Sequence, residues 1–84
     1  MSTIGHDELY PRDEQNRYRV YRLRKGSLDV LGTTPTLGGV GVAIGGFVKD
    51  GEFEANDALG ILDVLFRGPN QPGKWLANPF ATGR

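Results

Sequence analysis

The segment from Thr34 to Gly51 constrains the fold most, because it carries both ends of a helix and a middle that resists one. A threonine N-cap followed by proline at the first helical position starts a helix, and Thr34-Pro35 has that form. Asp50-Gly51 is a matching stop, since glycine accepts the left-handed conformation that closes a helix. Between these ends Leu37, Val40, Ile44, Phe47 and Val48 recur at helical spacing and form one apolar stripe. Yet glycine occupies positions 38, 39, 41, 45 and 46. Each costs about 1 kcal/mol relative to alanine inside a helix. The sum, roughly 5 kcal/mol, is comparable to the stability of a small domain. A helix over 36–49 therefore stands only if packing holds it, and a glycine-lined face suits close approach to a sheet or to a partner. The rival reading is a strand, with Val40, Val42 and Ile44 alternating against Gly39, Gly41 and Ala43. The caps at both ends favour the helix.

What flanks this segment reads as strands. Tyr18, Val20 and Tyr21 give 17–24 strand character. Alternation places Tyr18, Val20, Arg22 and Arg24 on one face and Arg17, Arg19, Tyr21 and Leu23 on the other. The pattern is imperfect, which predicts a bulge or a twisted edge strand. Lys25-Gly26 makes a turn into a second strand over 27–33, so the two form a hairpin. A third strand is expected over 58–65. A turn-rich loop follows at 68–73, and a short fourth strand over 74–80 is ended by Pro79. The fold class expected is α+β: a small antiparallel sheet of about four strands with one glycine-rich helix packed on one face, in the order β-β-α-β-β. The opposite sheet face is expected to be solvated or covered by a second copy. Residues 1–16 are polar and read as a tail, with Leu9 and Tyr10 as its docking residues, and 17–84 as a single domain. Thr82, Gly83 and Arg84 are expected to fray.

Size and composition exclude several functions. A chain of 84 residues supports one small core. It has no cysteine, so disulfides and thiolate metal sites are excluded. The one histidine, His6, lies in the polar tail, and a catalytic triad or a zinc site would have to depend on it. Ten basic and ten acidic residues leave no net charge to draw the whole molecule toward nucleic acid or an anionic membrane. The longest near-apolar run, Leu37 to Val48, is too short for a membrane span, which needs roughly twenty residues. The first sixteen residues lack a secretory pattern, and a cytoplasmic location is the expectation.

Two motifs invite sharper readings. The run GGVGVAIGG suggests a phosphate loop, but Ile44 stands where a dinucleotide fingerprint requires its third glycine. Lys49 is followed by Asp50, where a P-loop requires serine or threonine. No cofactor is expected. The second motif is the basic run Arg17, Arg19, Arg22, Arg24 and Lys25, interleaved with Tyr18 and Tyr21. Basic residues with aromatics on a sheet bind single-stranded nucleic acid by phosphate contact and stacking. An acidic run, Asp50, Glu52, Glu54, Asp57 and Asp63, opposes it, and sheet pairing would let the two neutralise each other. Asp57 and Asp63 offer paired carboxylates, but no second reactive group accompanies them. An enzyme is not expected.

The segments LGTTPTLGGVGVAI, GEFEANDALGILD and KWLANPF carry a resemblance over roughly the last two-thirds of the chain. With Thr33-Thr34 after the second strand, Gly60-Ile61-Leu62-Asp63 in the third and Trp75-Leu76-Ala77-Asn78-Pro79 near the end, the chain resembles small uncharacterised proteins of actinobacteria and their phages. The resemblance implies a small accessory protein, in the phage case acting in the host cytoplasm on a host or viral protein. The function expected is therefore a non-enzymatic binding module acting on a protein partner or by self-association. Its candidate contacts are Arg17, Arg19, Tyr21, Arg22, Arg24, Lys25, Trp75 and Phe80. Nucleic-acid binding through 17–25 is the alternative, and small-molecule binding a second.

Overall fold

A computed structural model describes residues 10–70 and 72–80. Strands β1 (Tyr18–Arg24) and β2 (Ser27–Thr34) form the hairpin, helix α1 (Leu37–Lys49) follows, and β3 (Ala58–Asp63) and β4 (Lys74–Ala77) complete the sheet. The architecture is α+β in the expected β-β-α-β-β order. All pairs are antiparallel and the spatial order is β2-β1-β3-β4.

β1 is thus a central strand, not an edge. The irregularity that its sequence suggested lies in its partner: Val20 pairs with Gly32 and Tyr21 with Val30, so Leu31 of β2 is the extra residue of a bulge. The hairpin turns through Lys25 and Gly26, both at positive φ.

The segment 36–49 is a helix, but it starts two residues later than Thr34-Pro35 implies. The Thr36 hydroxyl accepts from the Gly39 amide at 3.0 Å, which makes Thr36 the N-cap. Thr34 is instead the buried last residue of β2, opposite Tyr18. At the other end the Gly51 amide donates to the Val48 carbonyl and Glu52 to Phe47, with Gly51 at φ +80°. This is the closing geometry that Asp50-Gly51 predicts.

Val40, buried, and the half-buried Ala43, Ile44 and Phe47 face the sheet. A Cβ on Gly32 would stand 3.1 Å from the Phe47 ring, so glycine there lets the ring lie on the strand. The fully buried residues are few: Val20 and Val64 are 0% and 1% exposed. The other sheet face is covered in part by the chain itself. Tyr21 meets Trp75 edge-on at 5.4 Å, Trp75 meets Phe80 at 6.2 Å, and Pro79 is buried against Gly60.

The last two strands are shorter than expected. β3 stops at Asp63, whose carboxylate accepts from the Leu65 amide and turns the chain. β4 stops at Ala77, because Asn78 accepts from the Phe80 amide and folds 78–80 back. Residues 10–16, read as part of a tail, hydrogen-bond to the body: Thr33 donates to Asn16 at 2.7 Å and Arg12 to the Pro72 carbonyl at 3.2 Å. A short 3-10 turn, Glu14–Asn16, is capped by Asp13. His6, Leu9, Thr82, Gly83 and Arg84 lie outside the described residues.

Candidate interaction surface

The sheet turns the basic run inward. Strand pairing places β1 between its acidic partners, so each helix-side arginine meets a carboxylate. Arg22 donates to Asp29 at 2.9 Å on β2, and to the Glu52 side chain at 3.2 Å and its carbonyl at 2.9 Å. Arg24 grips both carboxylate oxygens of Asp57, the shorter contact being 2.7 Å, and approaches Glu54 at 3.8 Å. Arg17 holds Asp63 with two bonds of 3.0 Å. Arg19, 2% exposed, donates to the Tyr10 carbonyl and, at 3.4 Å, to the Tyr21 hydroxyl. Arg17, Arg22 and Arg24 of the basic run are therefore neutralised within the molecule, and Glu52, Glu54, Asp57 and Asp63 of the acidic run are among the carboxylates that do so.

Of the expected contact residues, Arg19 and Tyr21 are interior, and Arg17, Arg22 and Arg24 are ion-paired. Lys25 stands exposed at the hairpin tip. Trp75 is half-buried against Tyr21, and Phe80 is 57% exposed.

These pairs shift the acids. Hydrogen bonding from Arg24, opposed by burial and aided by the Glu54 amide, pulls Asp57 down to about 2. Hydrogen bonding from Arg17 likewise holds Asp63 below the ordinary carboxylate range. A carboxylate whose pKa is lower in the folded chain stabilises the fold above its unfolded pKa of about 4, and loses that contribution as pH falls. We expect stability to fall steeply between about pH 4 and pH 2. Asp57→Asn flattens that slope, which denaturant titrations across this range will measure.

The outer face of α1 is the larger surprise. Leu37 and Val48, counted from sequence with the core stripe, are 58% and 59% exposed, and Val42 is 79% exposed. Only Gly39 uses its missing side chain inward, where a Cβ would overlap the Thr34 hydroxyl. Around Gly38, Gly41, Gly45 and Gly46 an added Cβ meets nothing within 4 Å. Of the two uses expected for these glycines, close approach to the sheet fails for four of the five, and close approach to a partner is the one left. No charged residue occurs between Pro35 and Val48. A surface helix ordinarily turns a polar face to solvent, and this one presents glycine, valine and leucine. Sequence reasoning missed this surface, although the absence of charge on both sides of the helix signalled it.

Beside the lower end of α1 lies an apolar cavity of about 140 Å³ lined by Ile44, Val48, Phe53 and Leu59. Among the described residues no acid–histidine cluster suited to a metal ion occurs, and no helix is long and apolar enough to cross a membrane. Compared with protein-family models, curated proteins and solved structures, the chain matches none.

Proposed function

We propose that this chain is a non-enzymatic binding module that docks on a protein through the uncharged outer face of α1, with the exposed Phe80 end as a secondary contact. The observation that carries this reading is the composition of that face. Four glycines lie where the fold makes no steric demand for them, interspersed with exposed Leu37, Val42 and Val48. Glycine there weakens the helix, and what it offers in return is close approach by another backbone. The ion-paired arginines favour a protein over nucleic acid, since phosphate binding would first have to displace Asp57, Asp29 or Asp63. We place that role in the cytoplasm, as an accessory protein that in the phage case acts on a host or viral protein.

The test is affinity capture from cells that make the protein, comparing the native chain with Val42→Asp and Phe80→Ala. Val42→Asp abolishes capture with melting temperature unchanged, because the side chain touches solvent. Phe80→Ala weakens capture a few-fold. Capture undiminished by Val42→Asp, or salt-sensitive retention of nucleic acid, would contradict the reading.

A further inference from the structure

The two edges of the sheet are not alike. β4 is four residues long, begins at the exposed Lys74 and is followed by Pro79, features that blunt an edge against further pairing. β2 is eight residues long and contains no lysine, arginine or proline. The hairpin turn, with Lys25 and Gly26 both at positive φ, closes on Arg24 and Ser27, a hydrogen-bonded pair in a two-residue hairpin. Alternation along the ladder makes Arg22 and Asp29 the next bonded pair. The backbone N–H and C=O groups of Leu28 and Val30 therefore point away from β1, and among the described residues no other backbone meets them. The bulge at Leu31 ends this regular stretch.

We propose that the free edge of β2 takes up an extended, basic segment of another protein as a fifth strand, with a lysine or arginine beside Asp29. Unpaired backbone groups in a row accept an extended backbone, which fixes the form of the occupant. Charge fixes its composition. Asp29 is the one charged residue of β2, its side chain is 43% exposed, and Arg22 holds it through Oδ2. Arg22 and Arg24 together face four carboxylates, Asp29, Glu52, Glu54 and Asp57, so negative charge is left over beside the edge. A second β2 would bring the same excess of negative charge, whereas a basic strand complements it. The helix supplies the cover. Gly39 lies against Thr34 and the Phe47 ring lies on Gly32, so the flank of α1 turned toward β2 runs through Gly39, Ala43 and Gly46. That flank is uncharged, and nothing lies within 4 Å of a Cβ built on Gly46, which leaves room for side chains of the added strand. This edge is a second surface, and the proposal does not rest on docking at the outer face of α1.

The probe is a capped synthetic peptide, Thr-Val-Thr-Lys-Thr-Val-Thr, whose valines share a strand face with the lysine. It is titrated into the full chain, with amide hydrogen exchange read at single residues. Binding slows exchange of the Leu28 and Val30 amides about tenfold, and the Trp75 and Leu76 amides of the other edge keep their rates. Glutamate in place of the peptide lysine weakens binding several-fold. The peptide N-methylated on the two threonines that flank the lysine does not bind, a control that leaves the protein itself unaltered. Leu28 and Val30 amides unchanged at millimolar peptide, or equal binding of the N-methylated peptide, would overturn the proposal. So would protection of Leu28 and Val30 that grows with protein concentration in the absence of peptide, together with a solution mass of two chains, since the occupant would then be a second copy.

Discussion

Gly60→Val unfolds this protein's C-terminal cover and lowers its stability by about 3 kcal/mol. Strand propensity alone argues the reverse, since valine is among the best strand residues and glycine among the poorest. Space decides the sign. A Cβ at position 60 would stand 2.7 Å from Pro79 Cγ, 2.9 Å from its Cδ and 3.0 Å from Trp75 Cζ3. Pro79 is buried and Trp75 is pinned edge-on against Tyr21, so neither yields without exposing the far face of the sheet. A loss of this size lowers the melting temperature of a small domain by roughly 12–24 °C. Gly60→Ala, whose single methyl already overlaps the proline, shows the same direction with a smaller loss. Thermal unfolding followed by circular dichroism measures both. A melting temperature that holds or rises would mean that residues 78–80 do not lie on β3.

The second large effect has the opposite sign. Gly41→Ala/Gly45→Ala stabilises the fold by about 2 kcal/mol, because each substitution removes a helix-interior glycine. Nothing lies within 4 Å of either new methyl, so the gain is not offset by a clash. The melting temperature rises by roughly 8–16 °C. The same variant loses its partner, since two methyls hold the opposing backbone away. Stability and capture moving in opposite directions separates glycines kept for docking from glycines kept for the fold. Gly39→Ala is the internal control: its methyl collides with Thr34, so it destabilises.

Much of the fold is legible in the residues, and the failures have physical causes. The hairpin follows from Lys25-Gly26 between two runs of strand formers, and the helix stop from Asp50-Gly51. The helix start was misplaced because Thr34 and Thr36 both flank Pro35, and local chemistry does not say which hydroxyl reaches a free amide. Pairing with Tyr18 commits Thr34 to the sheet and leaves Thr36 to cap. The irregularity assigned to β1 belongs to β2, since a bulge is a property of a pair and one strand's alternation does not locate the extra residue. The mutual neutralisation of the basic and acidic runs was one of the readings that the sequence allowed. Which arginine meets which acid depends on register, and on β3 lying beside β1 rather than beside β2. The exposed apolar face of α1 was hidden for a simpler reason. An apolar stripe with glycines implies burial, and Leu37 and Val48 look like core residues until the helix is seen to rest on Val40, Ile44 and Phe47.

We place function on the uncharged outer face of α1 and not on the basic strand. Site-specific photo-cross-linking in the cell that makes the protein tests it most directly, with a benzophenone side chain replacing Val42 in one chain and Lys25 in another. Position 42 is expected to give one discrete protein adduct and position 25 none, and the adduct is expected to be lost in the Gly41→Ala/Gly45→Ala background. Adducts to nucleic acid from position 25, with nothing captured from position 42, would contradict it.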